Sequence, residues 1–248
     1  MKVVSTIEAR MTSRRLPGKV LLPAANKPML EHLIGRLRQV SSIDQIVLAT
    51  TVNRTDDVLD EFARTQNIAV FRGSEDDVMS RVIGAGESVS ADVIVEITGD
   101  CPIIDPNIVE QTIQMFFHNE CQYASNVGVE FRSYPVGMDT QVYRLETLKR
   151  SFAMTTERLD REHVSRHIRM NPSLFPYVIL VAPPDLHWPE LGLTLDEEAD
   201  YRLLKNIVEY FGVANPRFSC GDVIRLLRHE HPEWIAINEA VHRKGMHA

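Results

Sequence analysis

The sequence predicts an α/β protein, with a mostly parallel central sheet, helices on both faces and a smaller insertion. Three observations predict it. Short β-branched runs alternate with amphipathic helical patterns through the first half, which implies βαβ units and parallel pairing. The length of 248 residues suits one large α/β domain with an appendage. A hydrophobic content of 44% and a charged content of 25% are those of a globular protein.

The elements follow in order. Residues 3–7 (Val-Val-Ser-Thr-Ile) read as a buried strand. A basic stretch follows. From Pro28 a helix is expected, with Met29, Leu30, Leu33, Ile34 and Leu37 on one face. Residues 46–50 form a second strand. Thr55 has the chemistry of an N-cap for a helix with Val58, Leu59 and Phe62 on one face. A strand at 68–71, a helix at 76–88 and a strand at 93–97 continue the alternation. Asp105 starts a further helix ending near Phe117.

After about residue 120 the rhythm changes. Short strands are expected at 122–124, 130–134 and 140–143, and a polar helix at 157–170. A strand at 177–181 is ended by Pro183-Pro184. A helix at 197–211 carries Tyr201, Leu204, Ile207 and Val208 on one face, and Ser219 caps another that holds Val223, Ile224 and Leu227. No repeat or flexible linker interrupts the chain. The expectation is a single domain over 1–248, with 120–190 as an insertion or lid inside it.

The net charge of −7 argues against a general nucleic-acid binder. No apolar run approaches the ~20 residues of a membrane helix. The N-terminus enters a strand without a signal-peptide pattern, so a cytoplasmic protein is expected. The three cysteines, Cys101, Cys121 and Cys220, have no CxxC spacing and read as reduced packing thiols. His163 and His167 stand at i, i+4 but lack a third ligand at telling spacing, so zinc is not expected. His229, His231, His242 and His247 read as solvated.

One stretch stands out against the acidic background: "ARMTSRRLPGK", residues 9–19. Arg10, Arg14, Arg15 and Lys19 concentrate positive charge on one loop after the first strand. In open parallel sheets ligands gather at the carboxyl ends of strands. Gly18 would let backbone approach an anion, and arginine and lysine supply charge-assisted bonds. The loop is neither a Walker loop nor a dinucleotide fingerprint. A solvated basic turn is the competing reading.

This stretch resembles the N-terminal signature of the cytidylyltransferases that activate acidic sugars. These comprise the CMP-KDO and CMP-sialic acid synthetases and the SpsF-like branch of spore-coat polysaccharide biosynthesis. Arg10, Ser13, Arg15, Leu16, Pro17, Gly18 and Lys19 match the pattern. Arg14 falls where no fixed residue is expected. "NKPMLEHLIGRL" resembles the family's next segment. The resemblance implies a Rossmann-like nucleotide-diphospho-sugar transferase fold. It also implies that the loop wraps the triphosphate of CTP.

Three further constellations follow. "ITGDCPIIDP" places Asp100 at the end of a strand, where a carboxylate can bind Mg²⁺ or simply cap a turn. "LTLDEEADY" resembles the family's late Asp segment, which makes Asp196 the second metal-site carboxylate. Some members carry a further carboxylate two residues earlier, and here that position is Thr194. The resemblance assigns Arg72 to the nucleotide. In "YPVGMDTQVYRLETL" and "DREHVSRHI" it makes Gly137, Asp139, Gln141, Glu162 and His163 the sugar-site candidates. "EDDVMSRV" reads as a capped helix start and not as a metal cluster.

The resulting expectation is a Mg²⁺-dependent homodimeric cytidylyltransferase. It would transfer CMP from CTP to a sialic, pseudaminic, legionaminic or KDO-like sugar acid and release pyrophosphate. Arg10, Lys19, Asp100 and Asp196 would do the catalytic work, with Ser13, Arg15, Gly18 and Arg72 on the nucleotide. A sugar 1-phosphate or phosphonate acceptor, a glycosyltransferase and a non-catalytic nucleotide-binding protein are the alternatives. Asp-x-Asp, the usual glycosyltransferase metal motif, is absent from Gly99-Asp100-Cys101-Pro102.

Overall fold

The β-branched run after Lys2 forms β1 (Val3–Glu8), which sends Val3 and Ile7 into the core on one sheet face and Val4 into the core on the other. The computed structural model describes residues 1–129, 131–212, 215 and 217–241. Glu130, His242 and His247 lie outside the described residues. Beside β1 lie β4 (Gln45–Thr51), β5 (Ala69–Gly73) and β6 (Val93–Thr98), all parallel. The 120–190 segment adds β7 (Tyr123–Ser125), β8 (Gln141–Arg144) and β9 (Tyr177–Ile179). The seven-stranded order is β5-β4-β1-β6-β8-β7-β9, with β8 antiparallel to both neighbours. A hairpin of β2 (Pro23–Ala24) and β3 (Lys27–Pro28) turns through Ala25 and Asn26, both at positive φ.

One sheet face is covered by α1 (Met29–Leu37), α2 (Asp57–Thr65) and α4 (Pro106–His118). The other face is covered by α3 (Val78–Ser88), α5 (Leu145–Met154) and α7 (Arg166–Met170). A third apolar cluster joins α8 (Glu198–Phe211) and α9 (Cys220–Arg225) to Met29, Ile103, Ile108, Tyr134 and Met138. The C-terminal helices are thus packed onto the domain. Asp105 makes part of that joint: it caps α4 through the Asn107 N–H at 2.8 Å and accepts the Cys220 N–H at 2.7 Å.

Several local expectations change. Thr55 does not cap α2; a short turn (Arg54–Asp56) precedes the helix. Asp56 is buried, and its carboxylate accepts from Thr50, Thr51 and the Met11 N–H. Around 131–134, among the described residues, there is only an isolated bridge, Val127 to Arg132. The expected helix at 157–170 is two pieces, α6 (Arg158–Glu162) and α7, separated at His163 to Ser165. The helix at 145–154 has no counterpart in the expectations above. It buries only Leu145, Thr147, Leu148 and Ser151, so its apolar signal is weak.

Candidate active site

Strand order reverses at β1: β4 and β5 lie on one side, β6 on the other. The crevice outside the carboxyl ends of β1 and β6 is therefore the switch point where such sheets bind ligands. Glu8, Ala9 and Arg10 leave one strand there, and Thr98, Gly99 and Asp100 leave the other. The two ends touch. The Gly99 N–H donates to the Glu8 carbonyl at 2.9 Å, and a Cβ on Gly99 would lie 2.8 Å from that oxygen. Glycine at 99 is thus required by the close approach that brings Asp100 to the crevice.

Asp196 arrives from the distant C-terminal part. The Leu195 N–H donates to the Asp100 carbonyl at 2.8 Å, which fixes Asp196 beside Asp100. Behind it, the capping box of α8 pairs Glu197 with Asp200, so the helix start is rigid. Lys19 lies between the two carboxylates, with Nζ 3.1 Å from Asp100 Oδ2 and 3.1 Å from Asp196 Oδ1. Thr98 Oγ1 donates to the other Asp100 oxygen at 2.6 Å. Arg15 reaches Asp196 at 2.9 Å and Glu197 at 3.3 Å.

The electrostatics follow from this packing. Burial pulls the Lys19 pKa down, but attraction to Asp100 and Asp196 outweighs it and leaves the ammonium raised. Burial pushes Asp100 up, while Lys19 and the Thr98 hydroxyl hold it below the usual carboxylate range. Arg10 pairs with Glu75 at 3.0 Å, and Glu75 also accepts from Thr12 and Asn53, each at 2.6 Å. Those two bonds are the main reason Glu75 is lowered. Arg10, Arg15 and Lys19 are therefore each matched to carboxylates of the crevice. An anion entering here would exchange one set of negative partners for another, which avoids stranding a charge.

The crevice has a volume of about 710 Å³, within the ~300–1,000 Å³ of small-molecule sites. Arg10, Ser13, Arg15, Lys19, Asp100, Asp196, Gln141, Glu162 and His163 all line it. Arg14 also does. Four of the singled-out residues do not line it. Gly18 is a left-handed turn residue at φ 71°, and its N–H is taken by the Met11 carbonyl at 2.9 Å inside the loop. Arg72 is drawn to the Thr51 and Asn53 carbonyls and to Asp57. Asp139 forms a two-pronged pair with Arg132 at 2.5 and 2.8 Å. Gly137, at φ 101°, backs onto the Leu193–Thr194 backbone, where a Cβ would meet the Leu193 carbonyl at 2.6 Å. It shapes the segment that delivers Asp196.

Sequence reading missed Glu8, Arg81, Glu96, Arg158 and Arg169, which also line the crevice. A signal existed for Glu96: a carboxylate inside the apolar run "VIVEI" is anomalous in a central strand. The arginines come from helices whose periodicity says nothing about the crevice. Among the described residues no group of three or more His, Cys, Asp or Glu side chains is placed to hold a metal. What the site offers is a pair of hard oxygen donors, Asp100 and Asp196. That pair suits a cation that completes its shell with phosphate and water, as Mg²⁺ does. Cys101 is buried beside Asp100, and burial pushes its thiol well up, so it is a poor nucleophile. His167 bonds Ser151 at 2.9 Å while His163 faces the crevice, so the two histidines do not converge. His231 pairs with Glu233 and stacks on Trp234.

A parallel sheet with a cationic loop after its first strand and two carboxylates at its switch point is a Rossmann-like nucleotidyltransferase architecture. The chain belongs to the cytidylyltransferase family, whose model matches residues 4–187. It is 34% identical over 230 residues to the spore coat polysaccharide biosynthesis protein SpsF of Bacillus subtilis, covering 91% of this chain and 93% of that one. Over a shorter stretch of 120 residues it is 32% identical to 3-deoxy-manno-octulosonate cytidylyltransferase of Trichlorobacter lovleyi, covering 48% and 46%. A cytidylyltransferase structure from Leptospira borgpetersenii superposes with a TM-score of 0.89 at 30% identity, covering 98% of this chain and all of the other.

Proposed function

We propose that this protein transfers CMP from CTP to a 2-keto-3-deoxy sugar acid and releases pyrophosphate, supplying an activated sugar for a surface polysaccharide or glycan. The observation that carries the reading is Lys19, held between Asp100 and Asp196 in the switch-point crevice. The family membership supports the nucleotide, and the 3-deoxy-manno-octulosonate relative supports the acceptor class.

The chemistry needs no covalent intermediate. The acceptor's anomeric hydroxyl attacks the α-phosphorus in line and gives up its proton to solvent, while the α–β phosphoanhydride bond breaks and pyrophosphate leaves with the bonding pair. Arg10, Arg15 and Lys19 release their carboxylates and take phosphate oxygens, which stabilises charge on the leaving group. Ser13 donates a hydrogen bond to phosphate. Once Lys19 moves to phosphate, Asp100 and Asp196 are free to hold Mg²⁺. When bound there, the ion would polarise the α-phosphate and lower the pKa of an attached hydroxyl. Gln141, Glu162 and His163, at the far end of the crevice, orient the acceptor.

We read the working unit as a homodimer. The β9 edge and its surroundings expose Phe131, Met170, Leu174 and Val181, and a groove of about 410 Å³ lies among Val129, Phe131, Met170, Pro172, Tyr177 and Ile179. An exposed apolar strand edge is a liability unless another chain covers it. Among the described residues no helix is long and apolar enough to cross a membrane. The cytoplasm, where CTP is made, is the expected compartment.

Pyrophosphate release with Mg²⁺, each of the four nucleoside triphosphates and a panel of acidic sugars tests the reading. Release that needs both CTP and one sugar acid is expected. Tight CTP binding without release for any acid would move the acceptor to another class.

A further inference from the structure

One end of the crevice holds polar groups of which the proposed reaction uses only Gln141. On β1, β6 and β8 the cross-strand pairs Thr6–Glu96, Glu8–Thr98 and Glu96–Gln141 put Thr6, Glu8, Glu96, Thr98 and Gln141 on one sheet face. Lower on that face the side chains are apolar, from Val4, Ile94 and the ring of Tyr143. Glu8, Glu96, Thr98 and Gln141 therefore form the floor of the crevice at the carboxyl ends of the strands, with Thr6 buried beneath them. Glu96 is 6% exposed and accepts the Tyr143 hydroxyl at 2.6 Å. Both oxygens of Glu8 are buried and have no hydrogen-bond partner of ordinary geometry. Arg81, 3% exposed, and Arg169 line the same end, each with its Nε unpartnered.

Buried polar groups left without partners are costly, and a fold keeps them where a ligand completes them. The triphosphate is a poor candidate for Glu8, because its charge belongs with Arg10, Arg15 and Lys19. A carboxyl group needs a hydrogen-bond donor instead. An acceptor carrying both a carboxylate and several hydroxyl or amine hydrogens would match this floor, with its acid toward the arginines and its donors toward Glu8.

We propose that Glu8 is a specificity-determining residue of the acceptor site, whose carboxyl group receives a hydroxyl or amine hydrogen of the sugar, with Glu96 and Gln141 continuing the same surface. This rests on the acceptor reading given under Proposed function. Burial, and after it the neighbouring Glu96 charge, raises Glu8 well above the usual carboxylate range, against a smaller opposing pull from the Thr6 hydroxyl and Arg81.

The test has two arms on the full-length protein. The first needs no substrate: melting temperatures of the wild type, Glu8→Gln and Glu8→Ala. A residue kept for a ligand leaves Tm unchanged or raised on substitution. A fall of more than about 5 °C in both variants would make Glu8 a fold residue and overturn the proposal. The second arm is steady-state kinetics with the acid that the wild type uses. KM for the acid should rise about ten-fold or more in Glu8→Ala, with KM for CTP within about two-fold. Equal acid KM values, or a shift confined to CTP, would overturn it. An ammonium on the acid would be lost by both variants. A hydroxyl would be lost chiefly by Glu8→Ala, since glutamine keeps an accepting oxygen. A wild type that turned over no acid would sink the proposed reaction, while the melting arm would still judge Glu8.

Discussion

Asp100 and Asp196 show what a single residue contributes here, because each has a backbone anchor independent of its carboxylate. Asp100 follows the Gly99 contact and Asp196 the Leu195 bond. Asp100→Asn and Asp196→Asn should therefore fold normally and lose about 10²–10³ in kcat, measured by pyrophosphate release. Wild-type rates in both would remove the proposed Mg²⁺ site. Glu96 makes a second residue-scale prediction. Burial is the main cause that lifts its pKa above the ordinary carboxylate range, to about 7. The folded state thus holds this proton more tightly than the unfolded chain. The stabilisation is complete below the unfolded pKa and is lost as pH rises through about 7. Glu96→Gln carries no such loss. Its Tm advantage over wild type should grow between pH of about 4.5 and about 8. A difference independent of pH would mean that Glu96 does not titrate there.

At the scale of elements, the joint between α4 and α9 decides whether the C-terminal helices stay on the domain. Asp105 satisfies amides of both helices, and Arg36 lies close behind it. Arg36 is itself buried and bonds the Ile104 and Phe218 carbonyls, each at 2.5 Å. Asp105→Ala should destabilise the fold by about 2–4 kcal/mol, through the lost cap and the stranded amide at Cys220. Asp105→Asn should fall between it and wild type in urea midpoint. A change below about 0.5 kcal/mol for alanine would show that the joint does not depend on this side chain. The capping role of Asp105 was legible in "DP" before an apolar helix. Its bond to Cys220, 115 residues away, was not.

For the whole molecule, the exposed edge at β9 makes association the property to test. Phe131 is 44% exposed beside that edge. Phe131→Glu should convert a dimer to a monomer in sedimentation velocity, because a buried unpaired carboxylate at an apolar contact is strongly disfavoured. A wild-type monomer, or a variant dimer as tight as the parent, would refute an interface at this edge. Arg169 lines both the crevice and the groove at this edge, so kcat is measured on the same samples: a variant that dissociates and keeps its kcat separates association from turnover.

By itself the sequence determined the class of fold and pointed to part of the candidate site. Alternating strand and helix periods are local, and hydrophobic spacing dictates them without knowledge of neighbours. The basic loop after β1 and the Gly99-Asp100 strand end were legible for the same reason: each is a short stretch whose position on the sheet follows from the βαβ rhythm. The tertiary structure decided the rest. Only folding brings Asp196 to Asp100, because a backbone bond joins positions 95 residues apart, Leu195 and Asp100. Only folding removes Arg72, Asp139, Gly137 and Gly18 from the crevice wall, since their partners lie across turns and strands that no spacing reveals. And only the cross-strand register places Glu8 beside Glu96 and Gln141 on one floor. A strand's own sequence tells which residues alternate, but not which neighbour, in which register, completes the face.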